Sequence, residues 1–93
     1  MPRLEVIKIE LEFTEEKQSI GYEFYECLRR YASNAIAKVK TSCDDKKVIF
    51  EFEKSISFNT VNNAISALLN KTHIKLDEIE YKFEDRTVEI EIK

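Results

Sequence analysis

Residues 57–70 read SFNTVNNAISALLN, and this stretch decides how the rest of the chain is arranged. Its apolar residues recur three or four positions apart, which is the spacing of one face of an α-helix. The stripe consists of Phe58, Val61, Ala64, Ile65, Leu68 and Leu69. Ser55 or Ser57 is suited to cap the start of this helix, and Asn70 is a tolerated stop. The stretch predicts an amphipathic helix whose apolar face packs on a core, on a partner, or on both.

Alternating stretches lie on both sides of this helix and predict strands. Before it, residues 35–43 and 47–54 form two strands joined near Asp44 and Asp45, and so short a connection makes them antiparallel neighbours. After it, apolar residues alternate in two runs, namely Ile79, Tyr81 and Phe83, then Val88, Ile90 and Ile92. The end of the chain is therefore a hairpin, or a strand with an extension.

The N-terminal residues 4–13, LEVIKIELEF, alternate as well. The residues expected to point inward are Ile7, Ile9, Leu11 and Phe13, with charged residues between them. Leu4 and Val6 are out of phase with that set. They pack under a sheet edge, against a neighbouring chain, or around a β-bulge.

Residues 13–31, FTEEKQSIGYEFYECLRRY, predict the first helix. Thr14 is its expected N-cap, since a hydroxyl there can accept a hydrogen bond from a free backbone N–H. The expected inner stripe is Ile20, Phe24, Cys27, Leu28 and Tyr31. Gly21 falls beside that stripe and predicts a close approach of another backbone segment.

The predicted order is strand, helix, strand, strand, helix, strand, with one more strand at the end. Two helices with one apolar stripe each, and strands with one apolar face, favour an α+β fold in which both helices pack on one face of an antiparallel sheet. A chain of 93 residues makes this one domain spanning residues 1–93. The other sheet face is polar.

The residue inventory argues against catalysis. The chain has a single Gly and so no phosphate-cradling loop, and its only histidine, His73, has no Ser or Cys beside it. Cys27 and Cys43 lie far apart and form no metal-binding motif. We therefore expect no catalytic residues, no metal and no cofactor. Without an apolar stretch of membrane-spanning length or a signal-peptide core, we expect a cytoplasmic protein.

The charge distribution leaves a second class of function open. The net charge is −3, yet residues 29–40 hold four basic residues and no acidic one. These are Arg29, Arg30, Lys38 and Lys40. A small RNA-binding domain could use this patch, with Phe50 and Phe52 stacking on bases. Against that reading, both aromatics are expected to face the helices.

The residues of 4–72 also resemble a known family, the small Pcc/CTAG-type subunit of the KEOPS complex. EFTEE matches that family's strand-to-helix entry at Phe13 and Glu16, and NTVNNAIS is similar to its second helix at Val61 and Asn62. Phe58 and Ser66 stand at two positions where the family usually has arginines. The absence of these arginines argues against direct contact with tRNA.

The resemblance implies a non-catalytic subunit in tRNA modification that forms a homodimer or pairs with a paralogue. Such a subunit docks its helices on the catalytic subunit that makes threonylcarbamoyl-adenosine in tRNA. Both helices also carry more apolar surface than one sheet face needs. The residues expected to contact a partner are Phe24, Tyr25 and Leu28 on the first helix and Phe58, Val61, Asn62, Ile65 and Leu68 on the second.

Overall fold

A computed structural model of the chain describes residues 4–32 and 39–92, and these form five strands and two helices. The elements are β1 (Glu5–Phe13), α1 (Ile20–Ala32), β2 (Val39–Cys43), β3 (Lys47–Ser57), α2 (Phe58–Thr72), β4 (Leu76–Phe83) and β5 (Thr87–Glu91). Every strand pairing is antiparallel, and the strand order across the sheet is β2-β3-β1-β4-β5. The predicted α+β fold is confirmed, and the end of the chain is a hairpin. The predicted strand residues 35–38 lie outside the described residues.

The central strand β1 carries a bulge that sets which of its residues face the helices. Its register shifts between Val6 and Lys8 against both β3 and β4. The fully buried residues of β1 are Val6, Ile9, Leu11 and Phe13. The prediction that Ile7 shares the inner face is wrong, because the bulge adds a residue at this point and brings Val6 inward instead.

The two helices pack side by side and run antiparallel on the inner face of the sheet. The ammonium of Lys71, in the last turn of α2, lies 2.6 Å from a carboxylate oxygen of Glu23, in the first turn of α1. Below α1, the rings of Phe24 and Phe50 lie 5.0 Å apart. The predicted inner stripe of α1 ends before Tyr31, which is 50% exposed.

The first helix begins five residues later than the sequence pattern predicts, at Ile20 rather than directly after a cap at Thr14. The backbone N–H of Thr14 donates to the carbonyl of Lys75, and that of Lys17 donates to the carbonyl of Asp45. These long-range bonds tie residues 14–17 to the segments that directly precede β4 and β3. Ser19, directly before Ile20, has a left-handed φ of 61°, which a right-handed α-helix does not contain, so the helix begins only after this residue.

The second helix has the predicted start and a slightly later end. The hydroxyl of Ser57 accepts a hydrogen bond from the N–H of Thr60 at 3.3 Å, which confirms Ser57 as the N-cap. The helix runs past Asn70 and ends where His73 takes a left-handed conformation, with φ of 60°. The N–H of His73 donates to the carbonyl of Leu69 at 2.9 Å, so this histidine closes the helix.

Gly21 marks the place where α1 approaches the edge strand β2 most closely. A Cβ atom at this position would lie 2.6 Å from the Sγ of Cys43 and 2.9 Å from its Cβ. Both distances are well inside van der Waals contact. A close approach at Gly21 is present, but it is made by the side chain of Cys43 and not, as predicted, by the backbone of another segment.

We expect Gly21→Ala to destabilise the fold by about 1 kcal/mol. Alanine gains up to about 1 kcal/mol of helix propensity, but overpacking against Cys43 costs about 1–3 kcal/mol. Urea unfolding of the wild type and the variant measures the difference. In a Cys43→Gly background the clash is gone, so the same substitution should then be neutral or stabilising. Equal destabilisation in both backgrounds would contradict this explanation.

Candidate interaction surfaces

Most of the apolar helix residues predicted to contact a partner lie in the core of the protein itself. Those at most 3% exposed are Phe24, Leu28, Val61, Ile65 and Leu68. A partner docking on the intact fold does not reach these side chains. The helices have little apolar surface left for a partner, because the sheet below them is lined by large side chains that the helices bury. These include Phe50, Phe52, Tyr81 and Phe83.

The other three residues predicted at the partner surface are more accessible. Asn62 is exposed, while Tyr25 and Phe58 are half-buried. The ring of Phe58 lies 5.0 Å from that of Tyr81 and 6.0 Å from that of Phe83. Phe58 therefore anchors the start of α2 over β4 and offers only part of its ring to a partner.

The outward face of α2 is polar but almost without charge. Its exposed residues include Asn59, Asn62, Asn63, Ser66 and Asn70, which we call the α2 outer surface. Lys71 is the one charged residue of this 15-residue helix, whereas the 13 residues of α1 include four. In a chain with 35% charged residues, such a helix is unusual. Depletion of charge is typical of the centre of a protein–protein interface.

Helix α1 adds exposed aromatic side chains on its outward side. Tyr22 is 63% exposed, and Glu26, one turn further along the helix, raises the pKa of its phenol. Tyr31 is half exposed at the other end of the helix. Tyrosine combines a large apolar ring with a hydrogen-bonding hydroxyl and is enriched at interfaces.

An open cleft of about 830 Å³ lies between α1 and the edge strand β2. Of the inner-face side chains of β2, Cys43 lies against Gly21 of α1 and Val39 packs against the core, while Thr41 is exposed; all three line the cleft beside the tyrosines. Its lining includes Tyr22, Tyr25, Val39, Thr41, Cys43 and Phe50. Burial raises the pKa of the Cys43 thiol. His73 lines a different groove, so the structure does not bring these two side chains together.

The structure does not gather the predicted basic patch on one face. Arg29 and Arg30 are exposed on α1, where the guanidinium of Arg29 lies 3.2 Å from the carboxylate of Glu26. In the register of β2 against β3, Lys40 lies opposite Glu51, which places its side chain on the outer face of the sheet, away from the helices. Lys38 lies outside the described residues.

The aromatic residues considered for base stacking are buried. Phe50 and Phe52 face the helices, as expected, and are at most 5% exposed. The suggestion that these two rings stack on RNA bases is therefore wrong for the folded domain, because α1 and α2 cover the face on which a base would have to lie.

The outer face of the sheet carries two rows of glutamates that sequence reasoning did not connect. One row is Glu10, Glu80 and Glu89, and the other is Glu12, Glu78 and Glu91; together they form the acidic face. Residues 77–93 hold seven acidic and three basic residues, and the pairing of β4 with β1 adds the glutamates of β1 to this excess. Like charges directly opposite each other on neighbouring strands are destabilising.

The pH dependence of stability provides a test of this repulsion. Glu89, followed by desolvation and the charges of Glu12 and Glu91, raises the pKa of Glu78. The folded state then holds this proton more tightly than the unfolded chain, so the stability contributed by Glu78 falls as pH rises above about 4.5.

We expect Glu78→Gln to raise the urea midpoint at pH 7, because the variant removes a charge from the acidic face. The gain should shrink as pH is lowered toward about 4.5, and it should shrink at pH 7 when 1 M NaCl screens the carboxylates. The measurement is urea unfolding of both proteins at several pH values. A midpoint that is the same for both at every pH would refute the repulsion.

Comparisons of the chain with models of protein families, with curated protein sequences and with solved structures find no match. Neither described helix is long and apolar enough to cross a membrane. In the described part of the chain, no group of three or more His, Cys, Asp or Glu residues is placed to hold a metal ion.

Proposed function

We propose that this protein is a non-catalytic interaction module that binds another protein chain through the α2 outer surface. The observation that carries the proposal is the lack of charge on this helix face in a chain that is otherwise densely charged. Exposed helix positions that only face water tolerate Lys and Glu, which are good helix formers. Asparagine is a poor helix former, so four asparagines in α2 carry a cost in helix propensity.

The side chains of this surface suit burial against a partner. An asparagine amide both donates and accepts hydrogen bonds, so it can exchange its bonds to water for bonds to a second protein. A neutral amide costs far less to remove from water than an ionised side chain. Ala67 and Leu69, both half-buried, add apolar atoms beside the amides. Neutral and short side chains therefore give a surface that desolvates at low cost.

The helix is also held in place before any partner arrives. Ser57 caps its start, His73 closes its end, and the ion pair between Glu23 and Lys71 ties its last turn to α1. Lys71, by hydrogen bonding and by its charge, lowers the pKa of Glu23, so this tie persists at neutral pH. A preorganised surface loses less conformational freedom on binding than a mobile one.

A finer proposal follows from the resemblance to the KEOPS small subunit. In this proposal the protein is an accessory component of a KEOPS-like tRNA-modification complex, as a homodimer or paired with a paralogue. The two residues that match the family's second helix have different positions here. Val61 is fully buried and belongs to the core, whereas Asn62 is exposed on the α2 outer surface, where a partner can contact it.

Single arginine substitutions on opposite faces test the proposal. We expect Asn62→Arg and Asn63→Arg each to reduce partner recovery at least tenfold, because each buries an unpaired charge in the interface. Ser42→Arg adds the same charge on the outer face of the sheet and should leave recovery unchanged. The tagged proteins are purified from the native host and the recovered proteins are quantified by mass spectrometry, with light scattering to detect self-association.

Circular dichroism and a thermal scan establish that all three variants remain folded. A protein that co-purifies equally with the wild type and both asparagine variants does not bind the α2 outer surface, and the proposal then fails. RNA recovered with the wild type, at an affinity that falls steeply with salt, would support the alternative of an RNA-binding domain.

A further inference from the structure

The edge strand β5 presents a row of unpaired backbone groups. The N–H of Phe83 donates to the carbonyl of Arg86 at 2.7 Å, and the N–H of Ile92 donates to the carbonyl of Asp77 at 2.9 Å. In an antiparallel ladder these bonds recur at every second residue, so even-numbered residues of β5 bond to β4. The N–H and C=O groups of Thr87, Glu89 and Glu91 therefore point away from the sheet. In residues 4–32 and 39–92, no other strand pairs with this edge.

The inner side of β5 is apolar and incompletely covered. Val88 lies opposite Tyr81 and Ile90 opposite Ile79, so these side chains face the helix layer. Val88 packs against the core, whereas Ile90 remains 43% exposed and Ile92 39% exposed. Ile92 also lines a groove of about 560 Å³ beside the end of α2. An aliphatic side chain placed next to these isoleucines would bury apolar surface on both sides.

The outer side of β5 has the opposite character. Glu89 and Glu91 complete the two rows of the acidic face, next to Glu80 and Glu78 of β4. The strand thus shows aliphatic side chains to one side, carboxylates to the other, and free backbone groups along its edge. None of its residues is Pro or Gly, and its pairing with β4 shows no register shift. The structural devices that commonly block an edge, proline and a bulge, are missing from β5.

We infer that β5 accepts an antiparallel strand of another protein in which aliphatic residues alternate with lysine or arginine. The aliphatic side chains pack beside Ile90 and Ile92, and the basic side chains lie on the acidic face. Each positive charge compensates carboxylates that repel one another in the free protein. Main-chain hydrogen bonds to the edge supply affinity, and the alternation supplies specificity.

The charges of this edge select against a second copy of the same chain. If β5 paired with its own copy and both helix layers lay on one side, Glu89 and Glu91 would face the glutamates of the copy. Like charges in that position are destabilising, and they would extend a face that is already acidic. The same carboxylates therefore guard the edge against self-association and attract a basic strand.

A peptide probe tests the hydrogen-bonding geometry. The probe is acetyl-KVKIKVK-amide, which carries lysine at odd positions and aliphatic residues at even positions. In the proposed pairing its lysines lie opposite Glu89 and Glu91 and exchange backbone hydrogen bonds with them. N-methylation of the central lysines should weaken binding at least tenfold, whereas N-methylation of the aliphatic residues should change it less than threefold. The two modified peptides have the same charge.

Charge-reversal variants test the acidic side. Glu89→Lys/Glu91→Lys should weaken binding of the probe at least tenfold. The matched control is Glu84→Lys/Asp85→Lys in the turn before β5, which changes the net charge equally and should keep most of the affinity. Binding is followed by fluorescence anisotropy at low and high salt. NMR locates the probe through the backbone amides of residues 87–91 and the methyl groups of Ile90 and Ile92.

The inference is overturned if both N-methylated peptides bind as well as the unmodified probe. It is also overturned if the turn variant loses as much affinity as the edge variant, since attraction by net charge would then explain the binding. The edge involves none of the residues of the α2 outer surface. The strand inference and the proposed function can therefore fail or succeed separately.

Discussion

Strand β1 hydrogen-bonds to β3 on one side and to β4 on the other, and both helices lie over its inner face. The segments before and after α2 are joined in one sheet because each contributes a strand that pairs with β1. Its four inward residues are completely buried, so the whole apolar core is organised around them. The bulge after Val6 turns this side chain toward the core. In an unbroken alternation with Ile9, Leu11 and Phe13, Val6 would point to the polar face of the sheet.

The width of the sheet determines which surfaces are left for function. Two helices cover the central strands, and the apolar stripe of each helix is buried against the side chains of the sheet. The inner faces of β2 and β5, at opposite edges of the sheet, are only partly covered. The result is a charge-poor helix surface on α2, an open cleft beside β2, and an edge strand at β5 with separate aliphatic and acidic sides. The proposed contacts with other proteins are made by two of these exposed surfaces, the α2 outer surface and the edge of β5.

Local patterns predicted those parts of the fold that depend on neighbouring residues. The helical spacing of residues 57–70, its cap at Ser57, the two hairpins and the closeness required at Gly21 were all readable from the sequence. The late start of α1 was not, because it follows from the left-handed conformation of Ser19, after residues that are bonded to carbonyls far along the chain. The sequence could not distinguish core residues from exposed apolar ones, since Val61 and Leu68 are equally apolar whether a sheet or a second protein covers them.

The sequence by itself determined the order and type of the helices and strands, the α+β class and the side of each helix that is apolar, because periodicity is a property of neighbouring residues. Only the tertiary structure decided which surfaces remain exposed. Strand register placed Glu10 and Glu12 beside the glutamates of β4 and β5, and strand order made β5 an edge with free backbone groups. Register and order depend on pairing between segments that are distant in the chain. The clustered charge of the acidic face and the accessible backbone of β5 follow from that pairing, so no local pattern predicts them.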